Sequence, residues 1–374
     1  MQHVERSKMG PGPELHQPDW AIIIGLGFLI IIGLITLASA SYAEGCQKLD
    51  DCYFYLRHQL LFGMLPGLVL GLAFSLINYQ HLKKIAFPLL IVSFLLLIAV
   101  FVPQTGFARA GAQRWIKIAG FTFQPSELVK LSLLIYLSAI LAKNQARMKK
   151  MFVPFVIILI SLSFLIIAQP NISTLIVIIA TALVIYFIAG CPLTHLIWLG
   201  GGLGVGLAIL VRAAPYRLAR LTSFLHPEID LQGASFHINQ ALIGIGSGGI
   251  FGKGLGHSMQ KLSSLPEVIS DSIFAVLAEE FGFILTALIV GLYVWLTWRI
   301  FHLARNAPCG FGKFLSAGIG FLFIFQAVVN MAAMTGLVPL TGIPLPFISY
   351  GGSNLCIFLA LFGILVNISK QTHS

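Results

Sequence analysis

The run AIIIGLGFLIIIGLITLASAS, residues 21–41, contains neither a charged side chain nor a proline. At about 1.5 Å of rise per residue, a helix of that length spans about 30 Å, the thickness of a bilayer's hydrocarbon core. Backbone amides in lipid need internal partners, which leaves helices or a closed barrel. The run lacks the in-out alternation of a barrel strand, so it reads as a membrane helix. The rest of the chain repeats the pattern. Hydrophobic residues make up 57% of the 374 residues and charged ones 10%, with 29 Phe and a mean hydropathy of +0.92. A soluble domain of that composition would expose apolar surface on all sides, so the fold class is an all-α polytopic membrane protein.

Uninterrupted apolar runs of about 17 to 24 residues predict about ten transmembrane helices. They lie near Ala21 to Ser41, Gln59 to Ile77, Ile85 to Val102, Ser126 to Ala142, Phe152 to Ala168, Ile172 to Gly190, Leu196 to Val211, Asp271 to Trp298, Phe314 to Met334 and Phe347 to Ile368. A long extracytoplasmic loop, residues 214–270, precedes helix eight. Residues 1–19, with Pro11, Pro13 and Pro18, read as a disordered cytoplasmic tail and not as a cleaved signal peptide. A single membrane domain then occupies 20–370, and 371–374 form a second cytoplasmic tail. If the spans alternate, the basic loops with Lys83 and Lys84, with Lys143, Arg147, Lys149 and Lys150, and with Arg299, Arg305 and Lys313 share one side with Lys370. By the positive-inside rule that side is cytoplasmic, and both termini with it. The net charge of +10 is thereby explained by topology and contact with anionic lipid, and no nucleic-acid partner is expected.

Cys191, Cys309 and Cys356 lie in or beside spans and read as small packing residues. Cys46 and Cys52 share the first external loop, CQKLDDC, where a disulfide forms if the compartment is oxidising and the geometry permits. The glycine-rich run IGSGGIFGKGLG, residues 245–256, lacks the spacing and the terminal Lys-Ser/Thr of a nucleotide loop. Its glycines read as permitting close backbone packing.

The charges that topology does not explain are acids. LPEVISDSIFAVLAEEFG, residues 265–282, brings Glu267, Asp271, Glu279 and Glu280 to the mouth and interior of a span, and QPSELVK places Glu127 three residues before Lys130 in another. Each such group costs about 2.5 to 3.5 kcal/mol even on the lenient insertion scale, so it persists when paired, solvated or used. Eight residues are about 2.2 helical turns, so Asp271 and Glu279 fall near one face.

Four segments together resemble one family. RWIKIAGFTFQPSELVKL (114–131), YRLARLTSFLHPEIDLQGASFHINQALIGIGSGGIFGKGLG (216–256), the acidic run above and PLTGIPLPFISYGGSN (339–354) occur in the order found in SEDS proteins, the shape, elongation, division and sporulation family. The run GLGHSMQKLSSLPE resembles the division branch, FtsW, more than the elongation branch, RodA. The resemblance implies an inverting peptidoglycan glycosyltransferase in the bacterial cytoplasmic membrane, at the septum, polymerising lipid II into an undecaprenyl-pyrophosphate-linked glycan strand. A class B penicillin-binding protein (a transpeptidase) and other divisome proteins are the implied partners. No resident cofactor is implied with certainty. Diphosphate leaving groups often recruit a divalent ion, for which Mg²⁺ is the one to expect, and no metal ligands are assigned.

The position matching the family's essential aspartate is Asp271, which the resemblance makes the base that activates the acceptor hydroxyl. The structural alternative is a helix N-cap. Substrate-binding roles are implied for Lys130, Glu127, Gln240, Arg217, Arg220, Glu267, Glu279 and Glu280. For Glu127, Glu279 and Glu280 a structural ion-pair network with Lys130 is the competing reading. Arg109, Arg114 and Lys117 are further external cations able to clamp a diphosphate, and His237 reads as a packing residue or a local hydrogen-bond partner. The chain departs from the family at Ser270 and Ser272 around the aspartate, at Ser263 where a glutamate is common, in the 340–343 form LTGI, and at Asn171 where an Asp is common. Two other functions remain open from the residues: a lipid II flippase, which would favour a site at the bilayer midplane, and a non-catalytic scaffold that activates a partner synthase.

Overall fold

The computed structural model describes residues 16–102, 106–109, 112–118, 121–212, 215–226, 235–263 and 266–372. Most of the expected N-terminal tail, Leu265 and the side chain of Arg109 lie outside the described residues. Helix α1 (Trp20–Leu49) starts where the Asp19 carboxylate accepts the amides of Ala21 and Ile22, a side-chain cap that satisfies its first free donors. It runs past the expected end at Ser41, so Cys46 sits on its last turns and not in a loop. Asp50 closes it in the left-handed conformation, φ +52°. Cys46 and Cys52 form a disulfide with Cα atoms 4.1 Å apart. Closing so short a loop contributes about 2 kcal/mol in the chain-entropy account. Mass spectrometry of unreduced peptides should show the linked pair, and Cys46→Ser with Cys52→Ser should lower the melting point without abolishing the fold. Alkylation of both thiols without reductant would contradict this.

Helix α2 (Phe54–Gln59) passes through one π-helical turn, Leu60–Met64, into α3 (Leu65–Leu76), making a single crossing. After α4 (Leu82–Ala99), the segment read as a plain external loop is a small antiparallel sheet: β1 (Gly106–Arg109), β2 (Ala112–Ile118) and β3 (Phe121–Phe123). Ile116 pairs with Phe123 and is buried, while Gln113 and Lys117 on the same strand are exposed. Alternation of β-branched or aromatic residues with polar ones suits a strand with one wet face.

Next come α5 (Pro125–Lys143), α6 (Phe152–Ala168), α7 (Ile172–Ile188) and α8 (Leu193–Arg212). The long loop before helix eight contains α9 (Pro215–Leu225), α10 (Phe236–Ser247) and the single turn α11 (Gln260–Ser263). The chain ends with α12 (Ile273–Asn306), α13 (Gly310–Met334) and α14 (Gly352–Ser369). Among the described residues nine helical segments are long and apolar enough to cross a membrane, and α7, at 17 residues, is a shorter apolar helix that completes the expected ten. Helices α5, α12, α13 and α14 are the most buried; α8 buries none of its residues.

The expected last span begins late, at Gly352, because Pro344 and Pro346 keep the preceding stretch out of helix. At one end of the bundle the His16 amide donates to the Lys370 carbonyl at 2.7 Å and the Arg299 guanidinium meets Asp19 at 2.7 Å. The basic loops gather at that end, where Asp19 is the sole carboxylate among the described residues.

Candidate active site at a broken helix

Helix α12 is two helices that meet at a kink at Gly282, whose φ +72° and ψ −177° belong to a region open in practice only to glycine. A break at membrane depth needs partners for the freed backbone groups. The glycine-rich run supplies them. The amides of Lys253 and Gly254 donate to the carbonyls of Glu279 and Glu280, each at 3.0 Å, and the amides of Phe283 and Ile284 donate to Gly249 and Ile250 at 2.9 and 3.3 Å. A Cβ on Gly282 would lie 2.1 Å from the Gly252 nitrogen, so the two backbones meet only because neither residue carries a side chain. Residues 245–256 are thus a backbone plug for a broken helix.

The plug and the turn that follows it carry the counter-charges of the glutamates. Glu279 accepts Lys253 Nζ at 2.7 Å, the hydroxyls of Ser247 and Ser258, and the amides of Met259 and Gln260. Glu280 accepts Lys261 Nζ at 2.8 Å, Ser39 Oγ at 2.7 Å and the Gly256 amide. The expectation that either glutamate pairs with Lys130 is therefore corrected: their lysines come from the segment just upstream, which reaches them because α10 and α11 fold back on α12.

Lys130 has its own partners. Its ammonium lies 2.6 Å from Glu127 Oε2 on the same helix, donates to Gln326 Oε1 at 3.0 Å and sits 5.5 Å from the centroid of the Phe358 ring. Asn354 Nδ2 donates to the same Glu127 oxygen at 2.9 Å. Both ionic side chains are below 5% exposed, so the pair is enclosed by α5, α13 and α14.

Asp271 stands at the entry to α12, half-buried, and the cap position falls one residue later on Ser272. Two adjoining segments fix its backbone. Asn330 Nδ2 from α13 donates to the Asp271 carbonyl at 2.9 Å and to the Ile343 carbonyl at 2.7 Å. On the other side, Ser349 Oγ donates to the Ser270 carbonyl at 2.6 Å and the Tyr350 amide to the Ile269 carbonyl at 2.8 Å. A Cβ on Gly342 would stand 3.2 Å from Asp271 Oδ2, so the proline-rich segment passes directly beside the carboxylate. Gln326, one turn from Asn330, holds that segment through the Pro344 carbonyl at 2.9 Å and also accepts from Lys130. The buried ion pair and the aspartate thus share one support, α13.

Arg220 reaches the same segment, donating to Leu340 O at 3.4 Å, whereas Arg217 donates to Leu210 O at 2.8 Å, back toward α8. Glu267 is exposed, has φ +48° and accepts Ser270 Oγ at 3.0 Å, within the turn that leads to Asp271. Gln240 is half-buried on α10. On the same helix His237 hydrogen-bonds Ser272. Since Ser272 Oγ donates to the Pro266 carbonyl at 2.8 Å, the imidazole is the donor in that contact. Burial holds this histidine below its ordinary range, so it is neutral at pH 7. Arg114, a candidate diphosphate clamp, donates to the carbonyls of Gln169 and Pro170 and ties the sheet to the α6–α7 turn. Among the described residues no three of His, Cys, Asp and Glu lie together as a metal-binding group.

Sequence reading passed over Asn330, Gln326, Lys253 and Lys261. The first two carried a usable signal: amides four residues apart in the otherwise apolar run FIFQAVVN must find partners inside the protein.

Stage V sporulation protein E of Bacillus subtilis strain 168 is 40% identical over 360 residues, spanning 95% of this chain and 98% of that protein. The probable peptidoglycan glycosyltransferase FtsW of Geobacter sp. strain M18 is 39% identical over 356 residues, spanning 94% and 97%. Among solved structures, a chain of a peptidoglycan synthase complex that coordinates polymerization and crosslinking superposes with a TM-score of 0.77 at 26% identity, covering 94% of this chain and 97% of that one. The rod shape determining protein RodA of Thermus thermophilus superposes with a TM-score of 0.70 at 27% identity, covering 96% and 98%. Residues 19–374 match the family model for the FtsW, RodA and SpoVE cell cycle proteins, and the chain belongs to that family.

Proposed function

We propose that this chain polymerises lipid II on the outer face of the bacterial cytoplasmic membrane, with Asp271 as the base. The chain is a peptidoglycan glycosyltransferase and a multi-pass membrane protein. The observation that carries the proposal is the setting of Asp271. It is a half-buried carboxylate at the wet end of a membrane helix, its backbone is locked from two sides, and a proline-rich segment passes beside it. A base at that depth serves a polar sugar whose lipid tail stays in the bilayer. The acceptor hydroxyl attacks the anomeric carbon of the donor sugar, its proton passes to Asp271, and the bond to the lipid pyrophosphate breaks on the opposite face.

On this reading Arg220, beside the proline-rich segment, meets the leaving diphosphate, Arg217 joins it by leaving the Leu210 carbonyl, and Gln240 and Glu267 line the approach for the sugars. Glu279, Glu280, Glu127 and Lys130 act at one remove, holding the plug and the α13 support rather than touching substrate. The basic end of the bundle is cytoplasmic, with both termini there. The site of action is the division septum, and the transpeptidase partner is a class B penicillin-binding protein that cross-links the strand as it emerges.

The test is the purified chain in liposomes with lipid II, alone and with its transpeptidase. Glycan polymer in the presence of the partner is the expected result. Movement of lipid II across the bilayer with no polymer in either arm would overturn the assignment in favour of transport.

A further inference from the structure

At the basic end of the bundle, remote from Asp271, the first turns of α4 and α13 and the last of α5 enclose a cleft of about 550 Å³. That is ample for a small ligand, since such pockets run about 300–1,000 Å³. Its lining is ordered by depth. Along α4, Lys83 and Phe87 are one turn apart on the same face, and along α5 the order Tyr136, Ile140, Lys143 repeats that arrangement from the opposite direction. Both helices therefore present a lysine at the basic rim and apolar side chains farther into the membrane. Phe87, one turn farther into the membrane than Lys83, is 59% exposed, so the cleft opens sideways as well as outward. Among the described residues no carboxylate lines it.

The floor is the start of α13, just after Cys309, whose thiol accepts the Gly312 amide and whose carbonyl accepts the Lys313 amide. Lys83 Nζ lies 5.1 Å from the Phe311 ring centroid at this floor. The thiol of Cys309, outside the spanning helices, reports the local field. Burial would raise its pKa, but hydrogen bonds from Tyr79, the Gly312 amide and Gln80, with the Lys83 charge, bring it below the ordinary thiol value. With Lys83 and Lys143 at the rim and no carboxylate among the described lining residues, the cleft carries positive charge.

We propose that this cleft binds one acidic phospholipid, with its phosphate between Lys83 and Lys143 over the start of α13 and an acyl chain along Phe87, Tyr136 and Ile140. The commitment to a lipid rests on charge complementarity at the rim together with the lateral apolar opening. A free phosphate would use the rim and leave that wall uncovered.

The probes are phosphatidylglycerol, phosphatidylcholine and inorganic phosphate, each added to the full chain in neutral detergent. Two readouts apply: retention of a single lipid adduct by native mass spectrometry, and the rate of Cys309 alkylation resolved by peptide. Phosphatidylglycerol should be retained and should slow alkylation, and the other two should do neither. Lys83→Gln with Lys143→Gln should weaken phosphatidylglycerol binding about 30-fold, at about 1 kcal/mol per lysine near an anionic lipid. Lys149→Gln with Lys150→Gln, the same charge change outside the cleft, should not. Equal loss in both double variants would reduce the effect to general surface attraction and overturn the proposal. So would protection of Cys309 by phosphate alone, or no protection by phosphatidylglycerol in the unaltered chain. The last two comparisons need no variant, so they decide the matter even if a double variant does not fold.

Discussion

Asp271→Asn is expected to lower the rate of glycan polymerisation about 10²- to 10⁴-fold, the usual contribution of a positioned general base, while the protein accumulates and melts like the unaltered chain. The two halves of that expectation have separate origins. Loss of rate follows because an amide cannot take the acceptor's proton. Retention of the fold is expected because the Asp271 carbonyl accepts from Asn330 and the helix cap is Ser272, neither of which needs the carboxylate charge. Asparagine keeps the shape of the side chain and leaves those contacts intact. The measurement is lipid II polymerisation with the partner present, beside thermal unfolding in detergent. Polymer at near the unaltered rate would place the base elsewhere, and loss of the folded protein would show that Asp271 is structural.

The second large effect is on stability. Lys130→Met leaves Glu127 buried with Asn354 as its remaining hydrogen-bond donor, and breaking a buried pair from one side costs about 3–5 kcal/mol. Adding Glu127→Gln removes the stranded charge, and an amide there can still accept from Asn354. The double variant is therefore expected to recover both the melting temperature and polymerisation. Recovery identifies the pair as a brace for α13, which positions Asp271 through Asn330. A single variant that folds normally, polymerises poorly and is not rescued would instead place Lys130 on the donor pyrophosphate. Full activity in Lys130→Met would dispose of both roles.

Much of the fold was legible because its dominant force is written in composition. A run such as residues 21–41 has no alternative to a membrane helix, and the positions of ten runs followed from that one argument. What escaped was set by tertiary contact. The sheet at 106–123 was hidden because short amphipathic strands leave a weak signal beside long apolar runs. The extension of α1 past Ser41 depends on residues polar enough to read as loop, among them Glu44, Gln47 and Lys48. At the site, Asp271 was legible from its motif, and Glu127 with Lys130 from their spacing. The partners of Glu279 and Glu280 were not, because Lys253 and Lys261 lie in a loop whose path depends on the break at Gly282. That break was itself invisible: one glycine in FGFILTALIV looks like any helical glycine until Gly252 is known to lie against it.

The placement of charges also bears on how the chain is made. Helix α5 carries both members of its ion pair three residues apart, so it enters the membrane already neutralised during synthesis. Helix α12 has no such provision: Lys253 and Lys261 precede their glutamates by 26 and 19 residues, across a loop that must already have been translocated. The stretch after Gly282, which contains no acidic residue, is apolar enough to insert by itself. The break therefore separates a part of α12 that any insertion machinery would accept from a part whose charges are met by lysines made before it. On this account the acidic half of α12 is neutralised from behind by what was made first, and Asp271 is fixed from ahead by Asn330 and Ser349, which are made last.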